Sequence, residues 1–112
     1  MSSKLAAVAA ALALVLACSP RPERLSVDGR TVTVFNDTGR EWRSVEIWVN
    51  DYYRVTREKI APGERFQAPL NMFVAGFGQR FPARQQVTGI EATATDSAGE
   101  AVRLVLGSGR RR

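Results

Sequence analysis

The chain has no histidine, and its only cysteine is Cys18. Those two absences remove much of enzyme chemistry, because neither a Ser-His-Asp nor a Cys-His arrangement can be assembled, nor the usual zinc sites. They also exclude an internal disulfide. Acidic residues are few and scattered. Asp28, Asp37, Asp51, Asp96 and Glu100 sit in turn-like stretches, where carboxylates satisfy local backbone N–H groups. No segment offers the three or more closely spaced acidic ligands of a calcium loop, and no phosphate loop of the GxxxxGK type occurs. Glu46 and Glu91 fall on the outer faces of two expected strands. Nothing in their spacing makes them converge as a glycosidase pair, so they read as solvated strand positions. The chain is therefore expected to be no enzyme, with no catalytic residue, no cofactor and no metal.

Long apolar runs are also scarce: there is one, residues 5–17, made entirely of Ala, Leu and Val. A spanning helix needs roughly 20 apolar residues, so this run is too short, and with Lys4 before it, it reads as the apolar part of a signal peptide. Val15-Leu16-Ala17-Cys18 closes the run. The segment resembles the signal of a bacterial lipoprotein, with these four residues in the place of the lipobox. The resemblance implies cleavage after residue 17, a diacylglyceryl group on the Cys18 sulfur and acylation of the new N-terminus. It further implies, through Ser19 rather than aspartate after the cysteine, the periplasmic face of the outer membrane, or the outer leaflet of the plasma membrane in a cell with a single membrane. The alternatives are an ordinary secretory signal with a cysteine near its end, or a cytosolic apolar helix.

Lysine is nearly absent as well. Removing 17 residues from 112 leaves 95, in which Lys59 is the sole lysine and arginine carries the positive charge. The formal charge is +5 for the whole chain. A basic balance suits nucleic acid in the cytoplasm, but export directs it instead to anionic lipid headgroups or acidic envelope polymers, or leaves it as a solvated surface. No nucleic-acid partner is expected. A length of 95 residues allows one small domain.

What is present is strand-like. After an expected Pro-containing tether at residues 18–23, residues 24–107 alternate short β-branched and aromatic runs with turn clusters every eight to twelve residues, and residues 108–112 form a basic tail. Asp28-Gly29 is expected to be a type I′ hairpin turn between Leu25-Ser26-Val27 and residues 30–35. Asn36-Asp37-Thr38-Gly39 marks a reversal or a crossing. Val45, Ile47 and Val49 form the clearest period-two stripe and predict a central strand, with Ser44, Glu46 and Trp48 on its other face. A three-residue loop from Asn50 would set Val49 opposite Tyr53 and Ile47 opposite Val55. Phe66, Ala68 and Leu70 alternate up to a strand ended or edged by Pro69. Residues 71–84, with Phe73, Phe77 and Phe81, either cover one end or form a mobile loop. Residues 87–95 and 101–106 supply the last two strands.

About seven antiparallel strands in so short a chain predict an all-β, immunoglobulin-like or fibronectin-like sandwich. The order Asn36, Trp42, Val45, Ile47, Val49-Asn50, Tyr53, Pro62-Gly63-Glu64, Phe73, Arg80-Phe81-Pro82 and Asp96 is similar to a group of small bacterial β-sandwich domains of uncharacterised function. That resemblance implies a fold and no chemistry.

The positive signals for function are aromatic. Trp42, Trp48 and Tyr52 cluster around the central hairpin with Arg54 nearby, and an outward tryptophan can stack on a sugar ring or anchor a protein interface. Equally, Trp48 can be covered by residues 71–84 or by arginine stems, and Trp42 can plug the sandwich edge. The expected function is that of a lipid-anchored, non-enzymatic envelope protein whose sandwich contacts another protein. A carbohydrate-binding module for peptidoglycan or surface polysaccharide is the alternative. A Cys18→Ala variant is expected to lose fatty-acid labelling and to be released or left unprocessed; normal labelling in that variant would refute the lipoprotein signal.

Overall fold

A computed structural model describes residues 23–107, so the expected signal peptide, Cys18, nearly all of the tether and the basic tail lie outside the described residues. Seven strands follow in order: β1 (Leu25–Asp28), β2 (Thr31–Phe35), β3 (Trp42–Val49), β4 (Tyr53–Ile60), β5 (Arg65–Pro69), β6 (Gly89–Asp96) and β7 (Ala101–Gly107). They form two antiparallel sheets, ordered β1-β2-β5 and β4-β3-β6-β7, packed face to face as a sandwich. The described residues contain no α-helix, only a 3-10 turn at Leu70–Met72.

Alternation explains the layers. Leu25, Val32, Val34 and Ala68 from the smaller sheet meet Val45, Ile47, Val49, Val55, Ile90 and Ala92 from the larger one, all buried. Each Val, Leu or Ile side chain among them, withdrawn from water, contributes about 1.5–3 kcal/mol before ordering costs. β3 lies between β4 and β6, as its stripe predicts. Its register also follows expectation, with Val49 opposite Tyr53 and Ile47 opposite Val55. The intervening turn has positive φ at Asn50 (53°) and Asp51 (59°), and the Tyr52 N–H donates to the Val49 carbonyl at 3.2 Å. Positive φ at both central residues is the type I′ pattern, whose twist suits paired strands.

The first hairpin differs from expectation by one residue. Asp28 pairs with Thr31, so the loop is Gly29-Arg30, with positive φ at Gly29 alone (60°). A glycine at the first loop position is what a type II′ turn requires, and it lets Asp28 stay in the ladder.

Trp42 takes the edge-plug role, one of the two the sequence offers it, and not the contact role. Period two would place it on the outer face with Trp48, yet it is 2% exposed. The register against β6 shifts between Arg43 and Glu46, and Ser44 has φ 52°. This bulge adds one residue to β3, so Trp42 and Val45 both point inward. β4 changes phase at the same level, where Ile60 is buried opposite Trp42.

The chain crosses between layers three times, after β2, after β4 and after β5. Asn36 sits where the first two crossings meet and is fully buried. Its Nδ2 donates to the carbonyls of Arg40 (2.8 Å) and Ile60 (3.0 Å). Its Oδ1 accepts from the Thr38 N–H (3.1 Å) and hydroxyl (2.6 Å). The backbone completes the clamp, for the Asn36 N–H donates to Glu64 and its carbonyl accepts from Gly63. At the far end of the sandwich, residues 70–88 make the third crossing and cap the core with Leu70, Phe73 and Phe81, all buried. Phe81 meets Tyr53 edge-on at 5.0 Å. Residues 71–84 thus cover one end, the first of the two expected arrangements.

An Asn36→Ala variant removes both amide donors from beneath two loops. Urea denaturation should show a loss of about 2–4 kcal/mol, since buried carbonyls stripped of partners cost about 1–3 kcal/mol each. The exposed Asn71→Ala control should stay within about 0.5 kcal/mol. Equal effects in the two variants would contradict the role given to Asn36.

Candidate functional site

At the end opposite Asn36, the β3–β4 turn carries Tyr52 outward, 53% exposed. On the outer face of the larger sheet, register places Arg54, Trp48, Glu91 and Val105 in one row across β4, β3, β6 and β7. The Arg54 guanidinium lies 5.3 Å from the centre of the Trp48 ring, and its Nη1 is 3.3 Å from Glu46 Oε1. Such a stack holds a cation over the electron-rich ring face and contributes about 0.5–1 kcal/mol at an exposed site.

The far wall of the site comes from residues 73–81, which fold into a small hairpin against the margin of β4. Arg54 and Val74 exchange backbone hydrogen bonds of 3.0 and 3.1 Å. The hairpin closes on itself through Ala75 N–H to the Gln79 carbonyl (2.8 Å) and Phe81 N–H to the Phe73 carbonyl (2.9 Å). Between sheet and hairpin runs a groove of about 380 Å³, with Trp48, Tyr52, Arg54 and Thr56 on one side and Val74, Ala75 and Gly76 on the other.

Two anchors fix this end. Asn50 Nδ2 donates to the Gln86 carbonyl (2.8 Å), while its Oδ1 accepts from the Thr88 N–H and hydroxyl and from the Gly89 N–H. Arg30 donates to the carbonyls of Pro82 (2.9 Å) and Gln85 (3.2 Å), with its guanidinium 5.5 Å from the Phe81 ring centre. The last residues before β6 are therefore held to the β3–β4 turn, and β6 begins at Gly89 rather than at Val87.

Of the residues expected to make contacts, Trp48, Tyr52 and Arg54 share this groove. Trp42 does not. The Ser44 bulge turns its ring into the core, so it offers no face to a ligand. Glu91 also departs from expectation: it is 1% exposed rather than solvated. The Arg103 Nε (3.1 Å) and Nη2 (2.8 Å) both donate to Glu91 Oε2. Glu46 faces Arg54 and Glu91 faces Arg103, each acid engaged by its own arginine. Sequence reasoning did not single out Val74 or Phe77 as surface residues; Phe77 is 89% exposed at the hairpin tip. The available signal was the pair of glycines flanking it.

A groove of this kind has aromatic edges, hydroxyls at Thr56 and Tyr52, and one guanidinium, which suits a partner with apolar and acidic groups side by side. Two carboxyls are held below their ordinary values. The Arg43 guanidinium does this for Glu41, and the backbone N–H groups of Glu100 and Ala98, together with Arg40, do it for Asp96. Both lie at the Asn36 end, away from the groove. Among the described residues no group of three His, Cys, Asp or Glu side chains could hold a metal, and no helix is long and apolar enough to cross a membrane. Comparison with protein families, with curated proteins and with solved structures finds no match.

The two arginines of the outer face should respond differently to truncation. Arg103→Ala takes the donors from a carboxylate that is almost fully buried, and should cost about 1–3 kcal/mol by chemical denaturation. Arg54→Ala, whose side chain is 50% exposed, should cost less than about 1 kcal/mol while changing Trp48 fluorescence. The reverse order of stability losses would contradict this assignment.

Proposed function

We propose that this protein is a lipid-anchored, non-enzymatic envelope protein, held by Cys18 at the periplasmic face of the outer membrane, whose sandwich contacts another protein. In a cell with a single membrane the same anchor would hold it on the outer leaflet. The observation that carries the contact reading is the groove, in which Trp48, Tyr52 and Arg54 lie side by side on a solvent-facing sheet. Membrane attachment is supported by the sequence around Val15-Leu16-Ala17-Cys18. The strand order supports the finer fold assignment: β1-β2-β5 against β3-β6-β7 corresponds to A-B-E against C-F-G of immunoglobulin-like sandwiches. β4 lies beside β3 instead of β5. A fourth strand in the larger sheet supports the fibronectin-like reading of the two.

A protein partner suits the groove better than a sugar, because Arg54 already lies over the Trp48 ring that a sugar would stack on. Aromatic and arginine side chains together are the common anchors of protein interfaces. Carbohydrate binding is retained as the second reading on the strength of Trp48 and Tyr52 lining one groove with a cation.

Crosslinking in envelope membranes should recover a reproducible protein partner, with yield falling at least about fivefold for Tyr52→Ala, since interface aromatics often contribute more than 1 kcal/mol. Failure to recover any reproducible partner would sink the protein-contact reading. Titration with cell-wall fragments separates the second reading. A saturable change in tryptophan fluorescence, lost in Trp48→Ala, would favour glycan binding.

A further inference from the structure

The chain approaches the sandwich at one end and, among the described residues, exposes its most accessible large hydrophobic side chain at the other. Leu25 pairs with Val34, and Arg24 Nε lies 2.8 Å from Asp37, beside the Asn36 clamp. Phe77 stands at the far end on a tip between Gly76 and Gly78, so no adjacent side chain shields its ring. The tip is built to hold that position. Gly78, with φ 82°, donates its N–H to the Ala75 carbonyl at 2.9 Å, and the buried Phe73 and Phe81 rivet the hairpin base to the core.

Among the described residues, arginines outnumber acids at this end. Arg30, Arg54, Arg80 and Arg84 lie on the loops and strand starts here, against Asp28, Asp51 and Glu46, and Arg54 already pairs with Glu46, which leaves Arg30, Arg80 and Arg84 as its remaining cations. An apolar ring on a protruding tip needs no matching pocket if its target is soft and deformable, and the headgroup region of a bilayer accepts aromatic rings in this way. Surrounding arginines add attraction when the headgroups are anionic, within a screening length that shrinks with salt.

We propose that the Phe77 end docks on an anionic lipid bilayer, with the Phe77 ring entering the headgroup region and the neighbouring arginines facing lipid phosphates. This goes beyond the protein-contact reading and stands independently of the anchor. Where Cys18 is lipidated, the chain leads from that anchor into the sandwich at Leu25, at the end away from Phe77, so the protein would join two apposed bilayers.

The test uses the full chain reconstituted into dense, sucrose-loaded phosphatidylcholine vesicles, to which light fluorescent vesicles are added. Light vesicles containing phosphatidylglycerol should sediment with the dense ones. Capture should fall about tenfold or more for Phe77→Ser, for Arg84→Glu, for pure phosphatidylcholine targets and at high salt. Phe77→Ser should unfold at the wild-type temperature, because the ring is 89% exposed. In a Phe77→Trp variant, brominated phosphatidylglycerol should quench fluorescence beyond the wild-type background. Equal capture of neutral vesicles, undiminished capture by Phe77→Ser, or capture without added quenching would overturn the proposal. Since the target vesicles contain lipid alone, a surface made for protein would also appear as no capture. If the chain does not enter the dense vesicles, the anchor reading fails on its own. Direct sedimentation of the free chain with phosphatidylglycerol vesicles then decides the Phe77 reading, with Phe77-dependent binding supporting it and no binding overturning it.

Discussion

A two-layer sandwich has to satisfy the backbone wherever the chain leaves one sheet for the other, because there the peptide groups have lost their ladder and water is largely shut out. Asn36 meets this requirement for two crossings at once. Its amide donates to carbonyls in both connections and its oxygen accepts two donors from Thr38, all from a side chain with no exposed surface. Asn50 does the equivalent for the third crossing, tying Gln86, Thr88 and Gly89 to the β3–β4 turn. A short amide with two donors and an acceptor suits both jobs. An apolar residue would leave several buried groups bare.

The strand framework was legible because period-two stripes fix which face is buried, and a register slip of one residue would expose the whole stripe. That is why Val45, Ile47 and Val49 predicted both a central strand and its pairing with β4. Trp42 was legible as a plug at the sandwich edge but its cause was not, since one bulge residue with positive φ reverses the face of everything before it, and Ser44 carries no compositional mark of that role. Glu91 was misplaced for another reason. Alternation predicts direction but not cover, and the arginine that reaches across from β7 has its own position well removed in sequence. Phe73, Phe77 and Phe81 are evenly spaced by four, yet two are core and one is bare, a difference set by how residues 73–81 fold back on themselves.

The candidate site was half legible. Trp48, Tyr52 and Arg54 are neighbours through local pairing, so their clustering followed from the hairpin. The opposite wall, Val74 to Gly76, lies some twenty residues away in sequence and reaches the groove only because of the third crossing. Many residues of the order that suggested a bacterial sandwich domain, among them Asn36, Asn50, Tyr53, Phe73 and Phe81, are framework in this structure. They describe how the domain is held together, whereas the exposed groove and the hairpin tip are built from other residues.

Val74 has one more consequence. β4 would otherwise present a bare edge, ready to accept a strand from any neighbouring molecule. The two hydrogen bonds between Arg54 and Val74 occupy part of that margin, and the hairpin then turns back through Arg80, a cationic residue on the side facing away. Sheet growth in that direction is interrupted by a charged, tightly turned stub. Molecules crowded in two dimensions on a surface encounter one another far more often than molecules in solution. On any such surface, a domain with this margin partly occupied is less prone to polymerise through β4.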